Sequence, residues 1–222
     1  MKQLSKALEA ITANADRVEI HLDVESTSLR GTCFAIGGFI RQGKTELYEF
    51  SLLAEEGAAE AAPWVQENIL LHLQDLPTVK TLAELYDFYG EIFFAVKNRV
   101  LELYGLEPWE TAKLRKQFAV VIDNGMPVEA AFESACWSHL IAKAQEAGED
   151  TFGIEMGGMY MPIEISTALD VLGFDPDLPR SEAAEEAGFT GPKHNPVVDA
   201  RQSACVYNLA LSGQLSDKYR AE

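Results

Sequence analysis

RVEIHLDVESTSLRGTCFAIGGFIRQGKTELYEFSLL, residues 17–53, is the stretch that decides the fold. Its opening segment alternates, with Val18, Ile20, Leu22 and Val24 on one side, and this predicts a strand with one buried face. CFAIGGFI (33–40) is a continuous apolar run of the kind that buried central strands show. RQGK (41–44) reads as a turn, and TELYEFSLL (45–53) alternates again. Three strands joined by short loops make an antiparallel meander.

Upstream, Leu4, Ala7, Leu8 and Ile11 fall at helical spacing, so residues 3–13 predict a short amphipathic helix. Downstream, AEEGAAEAA (54–62) reads as a flexible acidic connection, and Pro63 starts a helix over PWVQENILLHL. A long helix is expected over about 81–104. Its stripe is Leu82, Leu85, Tyr89, Phe93, Val96, Val100 and Leu103, and Gly105 stops it. A third helix is expected over about 108–117. FAVVI (118–122) is a short buried strand, DNGMP (123–127) a turn, and VEAAFESACWSHLIAKAQ a helix. A short helix follows near 163–172, and a closing one from about Pro196 to Leu211. The order describes an α/β protein, one domain over residues 1–222 with a helical insertion at about 63–117.

Composition narrows the class. Hydrophobic residues make up 47% and charged residues 24%, the balance of a folded globular chain. No apolar run approaches the roughly 18–20 residues that a membrane span needs, so no membrane partner is expected. The start MKQLSKALEA lacks the apolar core of a secretory signal. Cys33, Cys136 and Cys205 lack metal-type spacing and read as reduced thiols of a cytoplasmic protein. The net charge of −17 opposes a broad basic footprint for nucleic acid. It leaves room for a small positive surface, with Lys113, Arg115 and Lys116 the best-placed cations, or else a scattered solvated set. It also leaves room for acids neutralised by bound cations.

Two constellations carry chemistry. Asp23 and Glu25 close the first strand at positions i and i+2, so both point to one side, followed by the turn Ser26-Thr27-Ser28-Leu29. Paired carboxylates repel, which is tolerable around cations or at a solvated strand end. In GPKHNPVVDARQSA (191–204), His194 precedes a proline-initiated helix and Asp199 lies just inside it. Imidazole and carboxylate can then face one point. Each also has a plainer role, His194 as a capping or surface histidine and Asp199 as an acid near a helix N-terminus.

DVESTSL resembles the first motif of the DEDDh 3'–5' exonucleases of the RNase H-like superfamily, acid-x-acid followed by Thr and Leu. HNPVVDA is similar to their last motif: histidine, four residues, aspartate, alanine. WVQENIL (64–70) resembles a segment of the phage and mycobacterial exoribonuclease branch. The chain departs from the pattern at Ser28, where glycine is common, and at Pro196, where a small residue is usual. The middle motif, an acid just after a central strand, has two candidates in FAVVIDNGMPVEAAF, Asp123 and the longer-armed Glu129, with Glu129 preferred.

The resemblance implies an RNase H-like mixed sheet, with the meander and parallel strands flanked by helices. It implies two Mg²⁺ or Mn²⁺ ions held by Asp23, Glu25, Glu129 and Asp199, with His194 as general base. Ser26, Thr27 and Leu29 would meet the terminal nucleotide at the 3' end of single-stranded DNA or RNA. The alternative is a catalytically silent binding module or regulatory subunit, and a homodimer is compatible with either. His21, His72 and His139 read as structural or surface residues, and Tyr89, Phe93 and Phe94 as core. The glycine-rich stretch from Glu155 to Gly158 has no phosphate-loop spacing, and the run Glu182, Glu185, Glu186 reads as a solvated helix or loop.

Overall fold

The computed structural model describes residues 2–124, 128–155 and 162–221. The end of the expected 123–127 turn, with Pro127, lies outside them, as do Met156, Gly157 and Gly158. The elements are α1 (Lys2–Ala10), β1 (Val18–Ser26), β2 (Cys33–Gln42), β3 (Thr45–Ala54), α2 (Glu55–Ala58), α3 (Pro63–Asn68) and β4 (Thr78–Val79). There follow α4 (Leu82–Tyr104), α5 (Thr111–Gln117), β5 (Phe118–Ile122), α6 (Ala130–Glu146), α7 (Phe152–Glu155) and β6 (Ile163–Glu164). The last three helices are α8 (Ile165–Val171), α9 (Arg180–Glu186) and α10 (Pro196–Leu211). They build an α/β architecture around a six-stranded mixed sheet of order β4-β3-β2-β1-β5-β6.

The meander forms as expected. β1 pairs antiparallel with β2, Asp23 opposite Gly37, and β2 pairs with β3 through a tight turn in which Gly43 adopts φ +58°. That left-handed conformation is cheap only for glycine. β1 is central and also pairs parallel with β5, Val18 beside Phe118.

The expectation of one buried face on β1 is corrected: both faces are covered. Val18, Ile20, Leu22 and Val24 join Leu85, Tyr89, Phe93 and Val96 of α4 in the main core. The opposite face lies under α10. There Glu19 accepts hydrogen bonds from Arg17 and Arg41 and pairs with His21, whose ring stacks on Phe39 at 4.6 Å. Polar residues alternate along β1 because they pair with each other beneath a helix, not because they meet water. Asp23 and Glu25 belong to this α10-facing side.

α4 starts where Thr81 and Glu84 cap each other reciprocally and stops at Gly105, φ +59°. Six of its buried residues (Leu85, Tyr89, Ile92, Phe93, Val96, Val100) share the inward face. Residues 54–62 are not wholly a flexible connection. α2 forms within them because Glu56 accepts from the Leu82 N–H at 3.0 Å and Gly57 is buried against Phe34. The helix from Pro63 is shorter than expected, tightening after Asn68 into a single turn at Leu70–His72. β4, β6 and α7 are additions, the two strands being only two residues each. The acids of α9, Glu182, Glu185 and Glu186, are exposed as expected, on a helix whose Ala183 and Ala184 are buried against α10. Cys33, Cys136 and Cys205 are free thiols. Among the described residues no helix is long and apolar enough to cross a membrane.

Candidate metal centre

Three local features bring the acids together. The first is the register of β1, which sends Asp23 and Glu25 to the α10 side and ends in a shift between Glu25 and Ser26. The second is Gly37, the partner of Asp23. A Cβ there would lie 2.6 Å from the Val197 nitrogen and 2.8 Å from Pro196, so only glycine lets the start of α10 rest on the strand pair. The third is the entry to α10. Asn195 caps it by accepting from the Val197 and Val198 N–H groups, and Pro196 takes the first helical position. His194, just before, is the one non-glycine residue with positive φ among those described, at +58°. That turn brings its ring over Asp199, one helical turn along.

The result is a compact donor set. A carboxylate oxygen of Glu25, a ring nitrogen of His194 and a carboxylate oxygen of Asp199 lie within 4.8 Å of one another. Asp23, the neighbour of Glu25 on the same face, has its pKa raised well above normal by burial and by the fields of Glu25, Asp199 and Glu129. Burial, then Asp199 and Glu129, push Glu25 up to about 8. Burial likewise lifts Glu129 to about 7, against hydrogen bonds from its own and the Asn124 backbone N–H. It lifts Asp199 to about 7 against a hydrogen bond from the His194 backbone N–H. Burial raises the pKa of all four acids, and Asp23 and Glu25 are raised further by the other acids of the set. No lysine or arginine forms an ion pair with any of the four among the described residues, Lys193 acting on Asp199 only through its field. Hard divalent cations with oxygen ligands fit such a set, because one ion satisfies several lone pairs at once.

Asp123 and Glu129 separate here. Asp123 ends β5 and accepts from Arg180 Nε at 2.7 Å, and its backbone oxygen accepts from the Ser166 N–H. It is bound into the β5–α9 junction while still facing the cleft. Glu129, 6% exposed at the approach to α6, has no such cation among the described residues and acts on both Asp23 and Glu25.

No protein-family model and no curated protein matches the chain.

The surroundings differ from expectation in three respects. Ser26 and Thr27 are buried and hold their own loop. Ser26 Oγ donates to the Ser28 oxygen, and Thr27 Oγ1 accepts from the Thr32 N–H. Their side chains are not presented outward, whereas Leu29 is 72% exposed. Second, His72 is not an isolated surface histidine: its ring centre lies 5.9 Å from that of His194, with the exposed Trp64 edge-on at 6.4 Å. Burial, then His72 and Lys193, depress the His194 pKa and keep its imidazole neutral. Third, the expected cationic surface is at the wrong end of the sheet. α5 leads into Phe118, which pairs with Val18, five residues or ~16 Å from Asp23 along β1. Lys113 there is also paired with Glu110.

The cations near the acids are instead Arg180 and Lys193, which line a cleft of about 270 Å³ with Asp23, Asp123, His194, Asp199 and Gln202. Lys193 stood in the motif segment beside His194 and was the legible one. Arg180 lies 19 residues from Asp199 and carried no local signal.

Proposed function

We propose that this protein is a divalent-metal-dependent 3'–5' exonuclease of the DEDDh kind on an RNase H-like fold. It would hydrolyse the terminal phosphodiester bond of single-stranded DNA or RNA and release nucleoside monophosphates. The observation that carries the reading is the convergence of Glu25, His194 and Asp199 within 4.8 Å, with Asp23 and Glu129 electrostatically tied to the same cluster. Asp23, Glu25, Glu129 and Asp199 are the residues that would hold Mg²⁺ or Mn²⁺. Two such ions, when bound, would supply Lewis-acid polarisation of the phosphoryl group and charge compensation at the leaving 3' oxygen.

The chain's own side chains have separate tasks. His194, whose pKa is lowered by burial and then by His72 and Lys193, can accept the proton of the attacking water. Asp199 accepts from the His194 backbone N–H and so holds that residue in its positive-φ turn. Trp64 offers exposed apolar surface beside His194, suited to a nucleobase, and Leu29, in the loop that follows Glu25, is a second exposed apolar side chain. Lys193 offers the phosphate chain a local cation on an otherwise acidic molecule, whereas Arg180, though it lines the cleft, is committed to Asp123, Ser166 and two backbone oxygens.

The test is a degradation panel of 5'-labelled single- and double-stranded DNA and RNA with Mn²⁺, read for product length over time. Stepwise shortening from the 3' end supports the reading. Mn²⁺ binding without any shortening would favour the silent binding module.

A further inference from the structure

A second site lies far from the carboxylates, between α4 and α6. Leu140, on its wall, is eleven residues beyond Glu129, or ~16 Å along the helix axis. The groove encloses about 590 Å³, within the range of small-molecule sites. Its walls are mostly apolar: Phe94 from α4, Leu140 and Ala144 from α6, and Ile154 from α7.

Of the charged residues that also line it, Lys97, on the inward side of α4 and only 3% exposed, is the buried one. Its ammonium stands 6.0 Å from the centre of the Phe94 ring, and it has no hydrogen-bond or ion-pair partner among the described residues. Burial depresses its pKa with nothing to oppose the effect. An ammonium with no protein partner that opens onto a largely apolar groove favours a ligand that can accept from it. The rim does not serve. Asp87 is occupied by Lys143 at 2.7 Å and by His139 at 3.0 Å, while Glu91, Glu149 and Asp150 are exposed, Asp150 accepting from the Phe152 N–H at 3.0 Å. Those rim acids also set an upper limit on charge, since a dianion would be repelled on entry.

We propose that this groove binds a small monocarboxylate with an apolar or aromatic body, its carboxylate on Lys97 Nζ and its body against Phe94, Leu140 and Ile154. The inference stands independently of the nuclease reading.

Benzoate and hexanoate are the probes, titrated into the full chain and followed by ligand-observed NMR. Benzyl alcohol and inorganic phosphate are run in parallel. The expected result is saturable binding of both carboxylates, weakened about tenfold or more by Lys97→Met, as loss of a charged hydrogen-bond partner should do. Phosphate should bind more weakly than benzoate, and so should benzyl alcohol. Leu140→Trp, which keeps Lys97 and fills the groove, should also abolish benzoate binding. Absence of saturable carboxylate binding to the wild type would overturn the proposal. So would equal affinity in Lys97→Met, undiminished binding in Leu140→Trp, or phosphate binding as tightly as benzoate.

Discussion

Raising the pH of the metal-free protein should destabilise it, and Mn²⁺ should reverse the loss. A group whose folded pKa lies above its unfolded value stabilises fully below the unfolded pKa, and that contribution is lost as pH rises through the folded pKa. Glu25 at about 8, and Glu129 and Asp199 at about 7, are all of this kind. The working window is pH 6.5 to 8.5. Below it, His21, held neutral by burial, acts in the opposite sense. Glu19, whose pKa is lowered, loses its stabilising effect only at far more acidic pH. Across the window Glu25 alone accounts for the interval from 6.5 to about 8, worth ~2 kcal/mol at 1.36 kcal/mol per pH unit. For a chain of 222 residues that is a fall of ~4–8 °C in melting temperature. Thermal melts in EDTA at pH 6.5, 7.5 and 8.5, repeated with Mn²⁺, make the measurement. Glu25→Gln should flatten the slope in EDTA, and Mn²⁺ should raise the wild-type melting temperature most at pH 8.5. A wild-type melting temperature that is flat or rising across the window would refute the reasoning.

Other outcomes follow from the same geometry. Glu129→Ala should cost several orders of magnitude in turnover at saturating Mn²⁺, while Asp123→Asn should cost much less and chiefly lower thermal stability through Arg180; the inverse order would reassign the middle acid. Gly37→Ala should push the start of α10 off the strand pair, destabilising the fold by ~1–3 kcal/mol and impairing turnover, and an unchanged kcat would contradict that packing. Lys193→Glu should raise KM steeply at low salt, whereas reversing Lys113 and Lys116 should leave KM unchanged.

The parts of the fold that were legible in the sequence are those long enough to show a period. β1 to β3, α4, β5, α6 and α10 each run five residues or more, and α10 carried its proline and its asparagine cap in plain view. β4 and β6 are two residues each, too short to display alternation, and exist only because a neighbouring strand edge is there to pair with. α2 depends on a hydrogen bond that Glu56 accepts from a backbone N–H 26 residues away, which no local pattern announces. The double burial of β1 was hidden because Glu19 and His21 look like a wet face until Arg17, Arg41 and Phe39 are seen around them.

The site divides in the same manner. Asp23 with Glu25, and His194 with Asp199, were readable because strand and helix geometry fixes their spacing. Arg180, His72 and Trp64 reach the cleft through tertiary folding from elements whose own sequences say nothing about it.

The most direct measurement compares wild type and Asp23→Ala on a 5'-labelled single-stranded oligonucleotide with Mn²⁺, with product analysis for nucleoside monophosphates. The wild type should release monophosphates from the 3' end and stop when EDTA is added. Asp23→Ala should be inactive while melting at or above the wild-type temperature in EDTA, because it relieves carboxylate repulsion. Full wild-type hydrolysis in EDTA, or an active Asp23→Ala, would contradict the account.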